Sequence, residues 1–522
     1  MRYLLASVAG MALLGACAQK QDPELNGMEY ARGAVVEGTI TSIHSDIANN
    51  KLTCLNVINA YIERIEHYDQ SSGLNTITYK NYSEARTKAG LIDIEYNRSR
   101  GLIGQNQNST FPKPYNVYCV PILVKDNMDV KSFPTTAGSK ILMDNMPPDD
   151  ANIIKQLKSQ GTIVLAKTNM AEWAFSPRRT KSTSAGITKN AYNLAHVPAG
   201  SSGGTASGIA ASFALVGLGT DTGNSVRGPS SHLSLVGMRS THGALDLDGI
   251  VPLVLSADVV GPMTRTVKDN VIMYAAMGGK NHFGQLDKNG LQGKRLAIVR
   301  ELSTDMDEDI ADLFEVAVND LIAAGATIID TINIKDINAH IDAPWGCKSF
   351  RKDVHEYLTQ PGMKAKISDP YEAFDAGVYS DYTKGSWGYF EGGAVNVATK
   401  SDGTVCGDLS KDVMRQNIKK DILDAMERDN IDALIYPSWR YPAARLDRAE
   451  EDYKGDNSQT LAPPTGLPAI TVPMGFATGD LPAGLQILGR PNSEGTLYGL
   501  AYAYEQATKH RRAPAGFPVI EK

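Results

Sequence analysis

The chain has 522 residues, with 52 lysines and arginines against 58 aspartates and glutamates. The resulting net charge of −6 does not offer the basic surface that nucleic-acid binding needs. Its 42% hydrophobic residues and 48 glycines exclude a disordered or low-complexity chain and suit a large, turn-rich α/β protein.

The N-terminus reads as an export signal. Met1-Arg2-Tyr3 is a short positive start, and Leu4 to Leu14 is an apolar run too short for a comfortable membrane span. Leu14-Gly15-Ala16-Cys17 follows, in an order that resembles a bacterial lipobox. That resemblance implies a signal peptide over residues 1–16 and a lipidated Cys17, with a polar tether to residue 35. It places the chain in the cell envelope, facing the periplasm or exterior. A plain secretory signal is the alternative. Cys54, Cys119, Cys347 and Cys406 show no metal-ligand spacing. They are expected as buried free thiols, with a Cys347–Cys406 pair as the other reading.

Residues 36–515 are expected to form one domain. Ser42–Asn49 and Thr53–Tyr68 read as helices, the second N-capped by Thr53 and periodic through Leu55, Ile58, Ile62 and Ile65. Leu74–Tyr79 reads as a strand, Ser83–Glu95 as a helix and 98–116 as a loop. Val120–Val124 is a buried strand that ends in Lys125-Asp126-Asn127, and Thr162–Leu165 is another. Gly200-Ser201-Ser202-Gly203-Gly204 is a glycine-serine turn, expected to open a small-residue helix running to Leu218. A second turn, Thr220 to Ser225, closes that stretch. Leu296–Arg300, Asp307–Ala324 and Thr327–Ile332 make a strand-helix-strand unit. Ile431–Tyr436 and Ala469–Pro473 are strands, and Glu494–Thr508 is a closing helix. Such alternation implies a mixed twisted sheet covered by helices on both faces. Residues 339–398 break the rhythm and carry Trp345, Phe350, Trp387, Tyr389 and Phe390. They form either a cap over a cleft or a satellite core.

Two catalytic readings compete. Gly200 to Gly204 fits G-x-S-x-G with Ser202 as nucleophile, but no strand precedes it and His232 and His242 lie too near in sequence. The second reading uses more of the chain. Gly200-Ser201-Ser202-Gly203-Gly204, then Gly219-Thr220-Asp221-Thr222-Gly223-Asn224-Ser225-Val226-Arg227, resemble the hallmark of the amidase signature family. Val120 to Asn127, Ala166 to Glu172, Gly261 to Val267 and Pro482 to Gln486 agree with further blocks. The resemblance implies a serine amide hydrolase without metal or cofactor. Ser225 is its nucleophile, Ser201 its proton relay behind a cis peptide bond, and Lys125 its base. A lysine serves as base only when neutral, and burial at a strand end lowers its pKa in that direction. Backbone N–H groups of Thr222, Gly223, Asn224 and Ser225 are the implied oxyanion hole. Ser202 is expected to support by hydrogen bonding, and Asp221 with Arg227 to shape the turn as an ion pair. Lys167 is expected to be structural. Asn224 stands where the family commonly has glycine, and Tyr118-Cys119 departs from its usual His-Gly. The expected substrate is a small-molecule or peptide amide, with the aromatics favouring an apolar or aromatic acyl group. Two rivals remain: a component of an amidotransferase that acts on charged tRNA, and a non-catalytic ligand-binding lipoprotein.

Overall fold

Thirteen strands order the described part of the molecule, a computed structural model that covers residues 23–103, 116–342, 347–392, 394–400, 403–406 and 411–521. Cys17, the signal segment 1–16 and Trp345 lie outside these residues. In chain order the strands are β1 (Ile77–Lys80), β2 (Pro121–Lys125), β3 (Ile163–Thr168), β4 (Lys181–Ser182), β5 (Gly186–Ile187), β6 (Val216–Asp221), β7 (Val236–Arg239), β8 (Val259–Thr264), β9 (Arg295–Ile298), β10 (Thr327–Ile329), β11 (Ala433–Pro437), β12 (Ala469–Ala477) and β13 (Leu481–Leu488). β4 and β5 pair with each other, and the other 11 form one sheet in the order β1-β3-β2-β6-β8-β7-β12-β13-β11-β9-β10. The sheet is mixed. β2 runs parallel to β3 and β6, and β9 parallel to β10 and β11. The remaining pairs, such as β6 with β8 and β12 with β13, are antiparallel. Every residue of β2, β3, β6, β7, β8, β11 and β13 is buried, so both faces of the sheet are covered.

Local signals behave as the sequence suggests where they are strong. Thr53 caps the helix Cys54–Tyr68 in a capping box: its hydroxyl accepts from Asn56 N at 3.0 Å, and Asn56 Oδ1 accepts from Thr53 N at 3.1 Å. The closing helix spans Glu494–Thr508. Other expectations change. The helix expected to end at Glu95 continues to Ile103, into the stretch expected as loop. The segment expected as a tether is helical from Pro23 to Ala34, with Ala31 and Val35 buried in the core and Arg32 paired with Glu63 at 2.8 Å.

The largest correction falls between the two serine turns. The expected helix to Leu218 stops at Ala210, and Val216–Asp221 is instead the central strand β6. Gly217 makes the close packing possible: a Cβ there would lie 2.3 Å from Thr205 Cγ2, on the helix. The cysteines are also corrected. They are not free thiols but two disulfides, Cys347–Cys406 and Cys54–Cys119. Among the described residues no helix is long and apolar enough to cross a membrane.

Candidate active site

The parallel neighbours β2 and β6 end side by side, and the carboxyl ends of such strands are where α/β sheets build their sites. Val124 stands opposite Leu218, so Lys125, the last residue of β2, comes level with Gly219 and Thr220. The chain then leaves β6 at Asp221 and turns through Thr222, Gly223, Asn224 and Ser225 into the short helix Arg227–Ser231. The first serine turn arrives from the other side. Its Gly200–Ser201 peptide is cis, as the resemblance implies. The helix Gly203–Ala210 that follows lies close to β3, where a Cβ on Gly204 would come within 2.2 Å of Asn169 O.

Lys125 and Ser201 are fully buried, and Nζ lies 2.6 Å from Ser201 Oγ and 2.7 Å from Thr220 Oγ1. Burial drives the lysine down to about 7, against the opposing pull of Asp258 and Asp221. The ammonium is therefore only part-populated at neutral pH, and a base requires the neutral form. Lys167, one strand away, has a different setting. It is held by Met128 O at 2.6 Å, Thr135 Oγ1 at 3.1 Å and Asp126 Oδ1 at 3.3 Å. Those partners give it a structural setting.

Asp221 shapes the second turn. Its carboxylate takes Arg227 Nε at 3.1 Å, Arg239 Nη1 at 2.9 Å and the Val226 N–H at 3.1 Å. Burial pushes its pKa up, but the two guanidinium groups outweigh that and hold it at about 2. Asp258 anchors the other side, accepting from Thr222 Oγ1 at 2.5 Å and from the Leu253 and Val254 N–H groups. The N–H groups of Gly223, Asn224 and Ser225 find no protein acceptor among the described residues. Ser225 Oγ donates to Asn224 Oδ1 at 3.4 Å, a long bond. Ser202 Oγ donates to Thr220 O at 3.3 Å, from behind β6. Neither histidine of the rival triad meets Ser202. His232 is buried against Trp439 and pushed down to about 3 by burial, and His242 Nε2 lies 2.9 Å from Leu255 O.

The turn opens on a cavity of about 430 Å³, lined on one side by Thr222–Ser225 and on the other by Phe175, Leu253, Tyr389 and Phe390. Phe350 and Trp387 form a satellite core with Trp173 and Phe175, while Tyr389 and Phe390 face the cavity. Cys347, at the edge of the same cavity, is tied to Cys406.

Several neighbours of the turn escape a reading of the sequence. Thr220 lies on β6 just before the turn and Asn127 two residues after Lys125, so the motif blocks already hold them. Arg239, Asp258 and Asp456 carry no local pattern and reach the turn only through the fold. Asp456 is half-buried beneath Asn224, from whose Nδ2 it accepts at 2.8 Å. Burial raises its carboxyl to about 7 against Tyr453 and Arg227.

Comparison with known proteins places this geometry. The family model "Amidase" matches residues 56–498. The glutamyl-tRNA(Gln) amidotransferase subunit of Microcystis aeruginosa is 28% identical, over 91% of this chain and 99% of that protein. Among solved structures, an amidase family protein from Bacillus anthracis superposes with a TM-score of 0.79 at 26% identity, over 95% of both chains. The native peptide amidase from Stenotrophomonas maltophilia gives 0.77 at 26% identity, over 92% of this chain and 98% of that one. The glutamyl-tRNA(Gln) amidotransferase subunit of Thermotoga maritima gives 0.59 at 26% identity, over 77% and 86%.

Proposed function

The chain belongs to the amidase family, whose members act on amide C–N bonds, and from that premise we propose that it is a serine amidase using Lys125, Ser201 and Ser225. One observation carries this reading: the buried 2.6 Å contact between Lys125 Nζ and Ser201 Oγ, set behind the turn that exposes Ser225 to the cavity.

The steps follow from that arrangement. The Ser225 hydroxyl turns from Asn224 toward Ser201 and attacks the substrate carbonyl carbon. Its proton passes to Ser201, and the Ser201 proton passes to neutral Lys125. The free N–H groups of Gly223, Asn224 and Ser225, with that of Thr222, receive the oxyanion. Such donors are worth about 3–4 kcal/mol each. When the C–N bond breaks, Ser201 returns a proton to the leaving nitrogen and takes one back from Lys125. Water, deprotonated along the same line, then cleaves the acyl-Ser225 ester. Asp221, Arg227 and Ser202 hold the turn and the strand behind it.

A second reading shares the first half of this chemistry. The amidotransferase subunits matched along nearly their whole length support a role in which released ammonia passes to a charged-tRNA acceptor. The free-standing hydrolase is supported by the fuller superposition on the peptide amidase than on the Thermotoga maritima protein. It is supported further by the two disulfides, which persist in oxidising compartments and not in the cytosol where charged tRNA resides. The same disulfides support the proposal that the chain is exported and lipid-anchored through Cys17. The deciding experiment measures ammonia release by the purified chain from peptide carboxamides, aryl amides and free glutamine. Turnover of the first two supports the hydrolase. Turnover of glutamine alone, with a copurifying partner protein, overturns it in favour of the amidotransferase.

A further inference from the structure

Asparagine and glutamine carry a donor at one end of the amide and an acceptor at the other, and their neighbours decide which end faces where. Beside Ser225 that neighbour is a carboxylate. Asp456 Oδ2 lies 2.8 Å from Asn224 Nδ2, 3.0 Å from Gln459 Nε2 and 3.1 Å from the Tyr453 hydroxyl. Asp456 Oδ2 accepts from both amide nitrogens, and these contacts turn the nitrogens toward it. Gln459 Nε2 is fully committed, because it also donates to Tyr453 Oη at 2.6 Å. Both side-chain oxygens are then turned away from Asp456.

Those oxygens border the turn that carries Ser225. Asn224 Oδ1 is 3.4 Å from Ser225 Oγ. Gln459 Oε1 lies against Gly223, where a Cβ would come within 2.8 Å of it, and it has no partner among the described residues. Both residues line the cavity. In a tetrahedral adduct on Ser225 the leaving nitrogen sits two bonds from Oγ, beside Asn224 Oδ1 and on the turn that Gln459 Oε1 borders. A substrate that brings N–H groups satisfies them. One that brings an ether oxygen or a dialkylated nitrogen leaves desolvated acceptors unpaired and is rejected.

We infer that Asn224 and Gln459, oriented by Asp456, are specificity-determining residues that select carboxamides with N–H on the leaving nitrogen over esters and tertiary amides. This rests on the amidase reading and adds the substrate class to it. Asp456 acts through the other two and is a positioning residue.

The test uses 3-phenylpropionamide and methyl 3-phenylpropionate, which share one acyl group. kcat/KM is measured for both with the wild-type chain, Gln459→Met and Asp456→Leu, with Tm recorded for each. The amide-to-ester ratio is expected to fall threefold or more in Gln459→Met, and in Asp456→Leu where that variant folds. A ratio in Gln459→Met that falls by less than threefold overturns the inference and leaves the amidase reading intact. Hydrolysis of neither substrate by the wild-type chain, with Ser225 unlabelled by a fluorophosphonate, overturns both.

Discussion

Lys125 suits the part of a base because its burial outweighs the acids that would keep it charged. The acids that pull on it, Asp258 and Asp221, are both committed elsewhere, one to Thr222 and two backbone N–H groups, the other to Arg227 and Arg239. Two predictions belong at this scale. Ser225→Ala should abolish amide turnover, and Lys125→Ala should lower kcat by at least about 100-fold, the lower range of general-base contributions. Full activity in Ser225→Ala would sink the assignment. The second concerns pH. Burial sets Lys125 at about 7, so the neutral base is lost as pH falls through 7, and kcat/KM should fall with it on the acid side. Asp456 also sits at about 7, from burial, and becomes protonated over the same range. The profile of Asp456→Asn separates them: the acid limb should persist, since Lys125 remains. At residue scale the sequence was most legible. Lys125, Ser201 and Ser225 stand in ordered motif blocks, and the structure sets Lys125 against Ser201 at the end of β2. Asp258 and Asp456 were illegible because they lie 36 and 232 positions from the turn residues they bind, in stretches without a pattern.

At the scale of elements, the two serine turns are joined by a helix, a sharp return and a strand. Reading that stretch as one helix failed for a definable reason. Val216-Gly217-Leu218-Gly219 is buried on both faces, so it shows no period-2 alternation, and its glycines mask the usual strand composition. The glycines are there to admit the helix Gly203–Ala210. Gly217→Ala would drive a methyl to 2.3 Å from Thr205 Cγ2 and 2.9 Å from Ile209 Cγ1. It should cost about 1–3 kcal/mol of stability, the range for overpacking a filled core, and be read as a lowered Tm. Because that helix also carries the Ser201 turn, kcat should fall with it. An unchanged Tm and kcat would mean that the packing is not as tight as described. Strong local signals fared better: the Thr53 capping box and the helix Glu494–Thr508 were both readable, the first from its cap and the second from its extent.

The described residues are built around one 11-stranded mixed sheet, and the second serine turn leaves its middle at the end of β6. Sheet order was beyond the sequence, since β6, β7, β8 and β13 gave no separate signal and pairing is non-local. Within the aromatic segment, Trp387 is buried in a satellite core while Tyr389 faces the cavity. At this scale the disulfides matter. Removing Cys54–Cys119 by paired alanine substitutions should cost about 2–4 kcal/mol, measured by denaturant unfolding. Removing Cys347–Cys406 should also raise KM, because Cys347 borders the cavity. Fractionation of cells carrying Cys17→Ala should move the chain from membrane to soluble fraction, and no movement would argue against the anchor.

The two bridges also change what it means to cut this chain. Residues 54–119 and 347–406 are closed covalent loops that do not overlap in sequence. A single proteolytic nick inside either loop, including beside the cavity-lining Tyr389 and Phe390, separates no fragment. The clipped protein should migrate as one band on a non-reducing gel and fall apart only when thiol is added. In any oxidising compartment such damage would be carried without loss of mass.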